Sequence, residues 1–116
     1  MKIALAQVNY LIGDFEGNTR KIMERINSAR LQHADLVVFA ELSICGYPPR
    51  DFLEFDDFIL RCNEQVQIIA SECKDIAAIV GAPSINPAPK GKPLFNSAYF
   101  LEHRKVKAII NKTLLP

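Results

Sequence analysis

At 116 residues the chain is at most one small domain, and a hydrophobic share of 49% is enough for a core. Charged residues make up 23% and the formal net charge is +1, so there is no electrostatic case for a nucleic-acid or membrane partner. No apolar run reaches transmembrane length and Met1-Lys2-Ile3 opens no signal-peptide pattern, which makes a cytoplasmic location the default expectation.

Ile3 to Val8 is nearly continuous apolar sequence, the pattern of a strand covered on both faces. Gly13-Asp14-Phe15-Glu16-Gly17 is rich in turn formers, and Asn18 is a good N-cap for a following helix. In that helix Ile22, Met23, Ile26 and Ala29 share a stripe while Lys21, Glu24, Arg25 and Asn27 face away, up to an end near His33. Leu36 to Ala40 is a second buried strand. Strand, helix and strand at this length form a βαβ unit with parallel strands.

The second strand stops at Glu41, and Gly46 with Pro48-Pro49 punctuates the turn after it. A carboxylate at the end of a buried strand is costly unless paired. It is read either as a turn or cap acid, or as a site residue at a sheet edge. Arg50 to Asp57 fits a short helical turn or a packed loop, with Asp56 or Asp57 able to cap a second helix. Phe58, Cys62, Val66, Ile69 and Cys73 follow at spacings of four, four, three and four, which puts both cysteines on a core face as small hydrophobes. Ala77 to Gly81 is a short third strand. Pro83 to Pro93 holds four of the seven prolines and is expected to be an exposed loop. Ser97 to Leu101 and Val106 to Ile110 are two more strands, joined by polar Glu102-His103-Arg104-Lys105 as an antiparallel hairpin.

The resulting order, β-α-β-α-β-β-β, is an α/β fold with a mixed sheet and both helices on one face. The opposite sheet face is left bare, so another subunit or further sequence is expected to cover it. Cys45, Cys62 and Cys73 are odd in number and lack zinc spacing, which fits free thiols in a reducing compartment. His33 and His103 are isolated and suit surface or helix-end positions, so no metal site is expected.

Two ionisable groups, Glu41 and Lys112, are placed just past the ends of apolar strands. If those strands are neighbours, the two charges emerge at one edge and pair, either as a structural ion pair or as part of a site.

Several short motifs follow in order: Lys2-Ile3-Ala4-Leu5-Ala6-Gln7, Phe39-Ala40-Glu41-Leu42 with Gly46-Tyr47, Phe95-Asn96-Ser97-Ala98, and Asn111-Lys112-Thr113-Leu114-Leu115-Pro116. Together they resemble the carbon-nitrogen hydrolase (nitrilase) superfamily along the whole chain. Tyr47-Pro48-Pro49-Arg50-Asp51-Phe52-Leu53, and Asn18 at the start of the first helix, bring the resemblance closer to the glutamine amidotransferase domains of glutamine-dependent NAD synthetases. The fold this implies is the N-terminal half of a nitrilase-type αββα sandwich.

The superfamily works with a Glu-Lys-Cys triad. The resemblance makes Glu41 the general base and Lys112 the second member. A carboxylate can take a thiol's proton, and an ammonium beside the attacked carbonyl stabilises the oxyanion. Tyr47 is implied as a wall of the glutamine pocket, although the turn alone reads equally as holding a packed tyrosine with a bonded hydroxyl. Two departures stand out. Ala40 occupies the position where the family usually has proline before the Glu. The family's nucleophilic cysteine lies well after the Lys motif, whereas this sequence ends at Pro116, and none of Cys45, Cys62 and Cys73 sits at a strand-to-helix elbow of its own.

The expectation is therefore residues 1–116 of a larger amidotransferase domain, inactive without its cysteine. No cofactor is expected for this part. The resemblance assigns ATP and magnesium, with deamido-NAD, to a synthetase domain elsewhere in the longer protein, and it implies glutamine as substrate and a homo-oligomeric assembly. Another amidase or carbamoylase of the superfamily, or a non-catalytic interaction module built on the bare sheet face, are the competing readings.

Overall fold

A computed structural model describes residues 1–46, 56–85 and 94–112. Its elements are β1 (Ile3–Leu5), α1 (Phe15–Leu31), β2 (Leu36–Val38), α2 (Asp56–Ser71), β3 (Ala77–Ile85), β4 (Leu94–Glu102) and β5 (Lys105–Lys112). The strands form one sheet in the order β1-β2-β3-β4-β5. The first three run parallel, and β4 runs antiparallel to both of its neighbours, β3 and β5. Parallel neighbours need a crossover, and α1 and α2 supply the two. The mixed α/β sheet expected from the sequence is the one observed.

Side chains alternate across a sheet, so register decides which residues share a face. Ala4, Val37, Ala78, Leu101 and Val106 lie in one cross-strand row. Val37, Ala78 and Leu101 of this row are buried in a single core with Ile22 and Ile26 of α1 and Val66 and Ile69 of α2. Both helices therefore cover the same face. The next row, Leu5, Val38, Ile79, Phe100 and Ala108, turns the other way. On that side Ile3 is 52% exposed, Leu5 78% and Ile110 67%. Among the described residues nothing covers this apolar face.

The helices meet through aromatic packing. The rings of Phe15 and Phe58 stand edge to face at 4.8 Å, and the Arg61 guanidinium lies 4.7 Å over the Phe15 ring. Such pairs add roughly 0.5–1.5 kcal/mol beyond their buried area. The stripe from Phe58 through Cys62, Val66 and Ile69 to Cys73 is buried throughout, as its spacing predicts.

The structure corrects several boundaries. β1 ends at Leu5 rather than Val8 and is exposed on one face instead of covered on both. α1 begins at Phe15, and its N-cap is Asp14, whose carboxylate accepts from the Gly17 amide at 3.1 Å. Asn18 is not the cap. It is fully buried in the first turn. β2 ends at Val38, two residues before Ala40. β3 continues through Pro83 to Ile85, so Pro83 belongs to a strand and not to a loop. The reason lies in the alternation of its amides. Ala77 and Gly81 point theirs toward the β2 side, where they reach Asp35 O and Ser43 Oγ. Pro83 falls on that same side, beyond the last residue of β2, so its missing N–H breaks no ladder bond.

β4 and β5 are both longer than their apolar cores, and Lys112 is the last residue of β5 rather than lying past it. The hairpin between them is antiparallel as expected. His103 (φ 53°) and Arg104 (φ 64°) make its two-residue turn with both φ positive, the twist that such hairpins prefer. The expectations for Tyr47, for the stretch Pro48 to Phe55, for residues 86–93 of the proline-rich loop, and for Thr113 to Pro116 lie outside the described residues.

Candidate active site

The site is built where β2 gives way to a turn. The Phe39 amide still reaches Ile79 O at 2.9 Å, the last contact of β2 with β3. The chain then turns through residues 41–45, with Leu42 in the left-handed region at φ 53°. Several contacts hold this turn. The Gly81 amide donates to Ser43 Oγ at 3.0 Å, the Ile44 amide to Gly81 O at 3.0 Å, and the Gly46 amide to Leu42 O at 2.9 Å. Gly81 is required because a Cβ there would run into the Leu42 amide nitrogen and lie 3.1 Å from Ala40 O.

Behind the turn, Asn18 Nδ2 donates to Leu11 O at 2.8 Å and to Ile44 O at 3.3 Å, and its Oδ1 accepts from the Leu11 amide at 2.9 Å. One buried amide thus joins the loop before α1 to the Glu41 turn.

Lys112 arrives from the other side of the sheet. In the β4–β5 ladder its Cα is paired with that of Asn96, so the two side chains leave the same face side by side. Both reach Glu41. Lys112 Nζ donates to Glu41 Oε1 at 2.9 Å, and Asn96 Nδ2 donates to the same oxygen at 2.6 Å. The two residues singled out from the sequence are therefore brought into contact across 71 positions of chain. The Lys112 hydrogen bond is the main cause holding the Glu41 carboxyl below the usual glutamate range, against a smaller opposing effect of desolvation, and the Lys112 charge and the Asn96 amide act in the same direction.

On the helix-facing side of the same strands, Ser97 Oγ donates to Asn111 Oδ1 at 2.7 Å and shares a 2.7 Å hydrogen bond with Ser84 Oγ. These bonds tie β3, β4 and β5 together one residue from Lys112.

A cleft of about 410 Å³ opens beside the carboxylate. Its lining combines the polar trio Glu41, Asn96 and Lys112 with apolar Phe39, Ile79 and Ile110. Ile79 and Ile110 belong to the uncovered sheet face, so the site lies at that face's rim.

The thiols are elsewhere. Cys45, Cys62 and Cys73 are free and fully buried, and none lines the cleft. A hydrogen bond with Cys45, reinforced by burial, pushes the Cys62 thiol up, and burial pushes Cys73 up to about 11. Neither is a thiolate at neutral pH. Among the described residues no group of three His, Cys, Asp or Glu side chains is placed to hold a metal ion. His33 and His103 both lie at exposed turns.

Sequence reasoning assigned no role to Asn96, Ser43 or Gly81. Asn96 stood within a quoted motif, but nothing local tells a strand asparagine that faces a carboxylate from one that faces water. Gly81 was read as a strand end, when it is the point where another backbone comes close.

Residues 2–115 match the Carbon-nitrogen hydrolase family model, and the chain belongs to that family. Within it, the chain is 36% identical to the glutamine-dependent NAD(+) synthetase of Xanthomonas campestris over 117 residues, covering 100% of this chain and 20% of that protein. It is 38% identical to the enzyme of the same name from Synechocystis over 118 residues, covering 98% of this chain and 21% of the relative. The crystal structure of a glutamine-dependent NAD(+) synthetase from Cytophaga hutchinsonii superposes with a TM-score of 0.89 at 27% identity, over 98% of this chain and 19% of that one. The chain thus spans about one fifth of the length of the relatives it matches.

Proposed function

We propose that residues 1–116 are part of a glutamine-hydrolysing domain that supplies ammonia to NAD synthesis, and that they contribute the base and the cation of its acyl-transfer site. The observation that carries this reading is the 2.9 Å contact between Glu41 and Lys112 at the rim of the bare sheet face. The similarity to glutamine-dependent NAD(+) synthetases supports the choice of substrate.

The geometry supports the following chemistry. Glu41 accepts the proton of a cysteine thiol contributed by residues outside this sequence, and the thiolate attacks the side-chain amide carbon of glutamine. Lys112 Nζ stabilises the oxyanion. Collapse of the tetrahedral species breaks the C–N bond, and ammonia leaves with the proton that Glu41 returns. Water then attacks the thioester with Glu41 again taking a proton, the C–S bond breaks to release glutamate, and the proton passes from Glu41 to the departing cysteine sulfur. Tyr47 would line the glutamine pocket. In the longer protein the ammonia would convert deamido-NAD to NAD at a separate domain using ATP and magnesium. The segment carrying the cysteine would lie over the uncovered face, which brings the thiol to the same rim. This sequence by itself is expected to release no ammonia from glutamine.

A segment exchange tests the reading. Residues 1–116 replace the matching part of the Xanthomonas campestris enzyme, and ammonia release from glutamine is measured on the soluble hybrid. Activity that falls by about 10²–10⁴-fold in Glu41→Ala and in Lys112→Met supports it. A hybrid whose activity survives Glu41→Ala overturns it.

A further inference from the structure

We infer that Asn96 is the positioning residue of the Glu41 base: its amide holds Oε1 and so leaves Oε2 as the oxygen that exchanges protons. The inference deepens the acyl-transfer reading and rests on Glu41 being the base. Both donors to Glu41 converge on Oε1, Asn96 Nδ2 at 2.6 Å and Lys112 Nζ at 2.9 Å, and among the described residues Oε2 accepts no hydrogen bond. A carboxylate with one oxygen doubly held cannot rotate freely about its last torsion, so its other oxygen keeps a fixed direction.

The two donors are not equivalent. Lys112 is wanted in two places, at Glu41 before attack and at the oxyanion after it. A primary amide carries no charge that could be lost, and a developing negative charge draws it less strongly than it draws an ammonium. Asn96 therefore keeps Glu41 in place while the ammonium turns to the substrate. Its own direction is fixed by the backbone. Asn96 stands directly across from Lys112 in the β4–β5 ladder and across from Pro83 in β3, in the middle of three paired strands. Sharing a face with Lys112, it presents its amide beside the ammonium and not behind it.

The test reads the carboxyl itself in the 116-residue chain, so it is independent of any turnover. The side-chain carboxyl carbon of Glu41 and the side-chain amide of Asn96 are followed by NMR through an acid titration. In the unaltered chain the Asn96 amide resonances are expected to shift with the same midpoint as Glu41. In Asn96→Ala the Glu41 midpoint is expected to move up, and in Lys112→Met the shared midpoint of Asn96 and Glu41 is expected to persist. An Asn96 amide that stays flat while Glu41 titrates overturns the inference without needing any variant to fold. A Glu41 midpoint unchanged in folded Asn96→Ala also overturns it. Either result leaves the glutamine-hydrolysis reading standing, whereas a hybrid indifferent to Glu41→Ala removes that reading and leaves the titration result intact.

Discussion

Gly81 and Ser43 are joined by a 3.0 Å hydrogen bond in which a strand amide donates to a fully buried hydroxyl. The bond does for the Glu41 turn what a further residue of β2 would have done for the sheet. β2 has ended, and the hydroxyl takes over as acceptor. Ser43→Ala leaves the Gly81 N–H buried and unpaired, at a cost of about 1–3 kcal/mol. Urea denaturation of the variant against the unaltered chain measures it, and an unchanged midpoint would show that water replaces the hydroxyl.

Gly81→Ala tests the close approach itself. The added methyl meets the Leu42 backbone and not a flexible side chain, so the turn has to move as a whole. A loss of about 1–3 kcal/mol is expected, the usual range for overpacking. The Glu41 carboxyl should also lose its contacts with Lys112 and Asn96. The check is a rise of its titration midpoint in a variant that still folds.

Asn18→Ala removes the three hydrogen bonds that the Asn18 side chain makes to Leu11 and Ile44, leaving the Leu11 amide and the Ile44 carbonyl in search of partners, while the Leu11 carbonyl keeps the Asp14 amide. About 1–3 kcal/mol should be lost. Hydrogen exchange should locate the loosening in residues 11–13 and 41–46, with α2 unaffected. Uniform loosening over both helices would mean that Asn18 serves general packing instead.

The Glu41 carboxyl is depressed in the folded state, and the sign of its effect on stability follows. Its contribution is fully present above the ordinary glutamate value of about 4.3 and disappears as pH falls through the lower, folded-state value. Unfolding free energies of the unaltered chain and Glu41→Gln should therefore differ by a constant amount at neutral pH and converge in acid. The difference will be modest, because Lys112 and Glu41 are 60% and 44% exposed and water screens them. A difference that grows on acidification would contradict the assignment.

The three thiols should be silent toward a water-soluble disulfide reagent until the chain unfolds, since each is fully buried. Colorimetric titration with and without urea counts them. Fast reaction of Cys45 in the native chain would show that the Glu41 turn opens.

The helices and the five strands could be read from periodicity, because burial against one core imposes the periods of three to four and of two, and the parallel β1–β2 and antiparallel β4–β5 pairings from the lengths of the segments that join them. What escaped was set by neighbours distant in sequence. Pro83 reads as a loop residue until it is known that β2 has already ended beside it. Asn111 and Lys112 read as the stop of a strand because they are polar, yet Asn96 and Ser97 across the ladder give them partners. Asn18 has the chemistry of a cap but is spent on a tertiary contact, and Asp14 does the capping. At the site, Glu41 and Lys112 stood out as charges interrupting apolar runs. Asn96, neutral and in a strand, gave no such contrast.

The β4–β5 ladder carries an irregularity at Phe100/Leu101, between the hairpin turn and the Asn96–Lys112 pair. Adding or deleting one residue of β5 beyond that bulge would invert every later side chain, exchanging Asn111 for Lys112 and sending the ammonium to the helix side of the sheet, away from Glu41. Length changes in this arm are thus tolerable only in steps of two. The parity of a few residues decides whether the carboxylate has a cation at all.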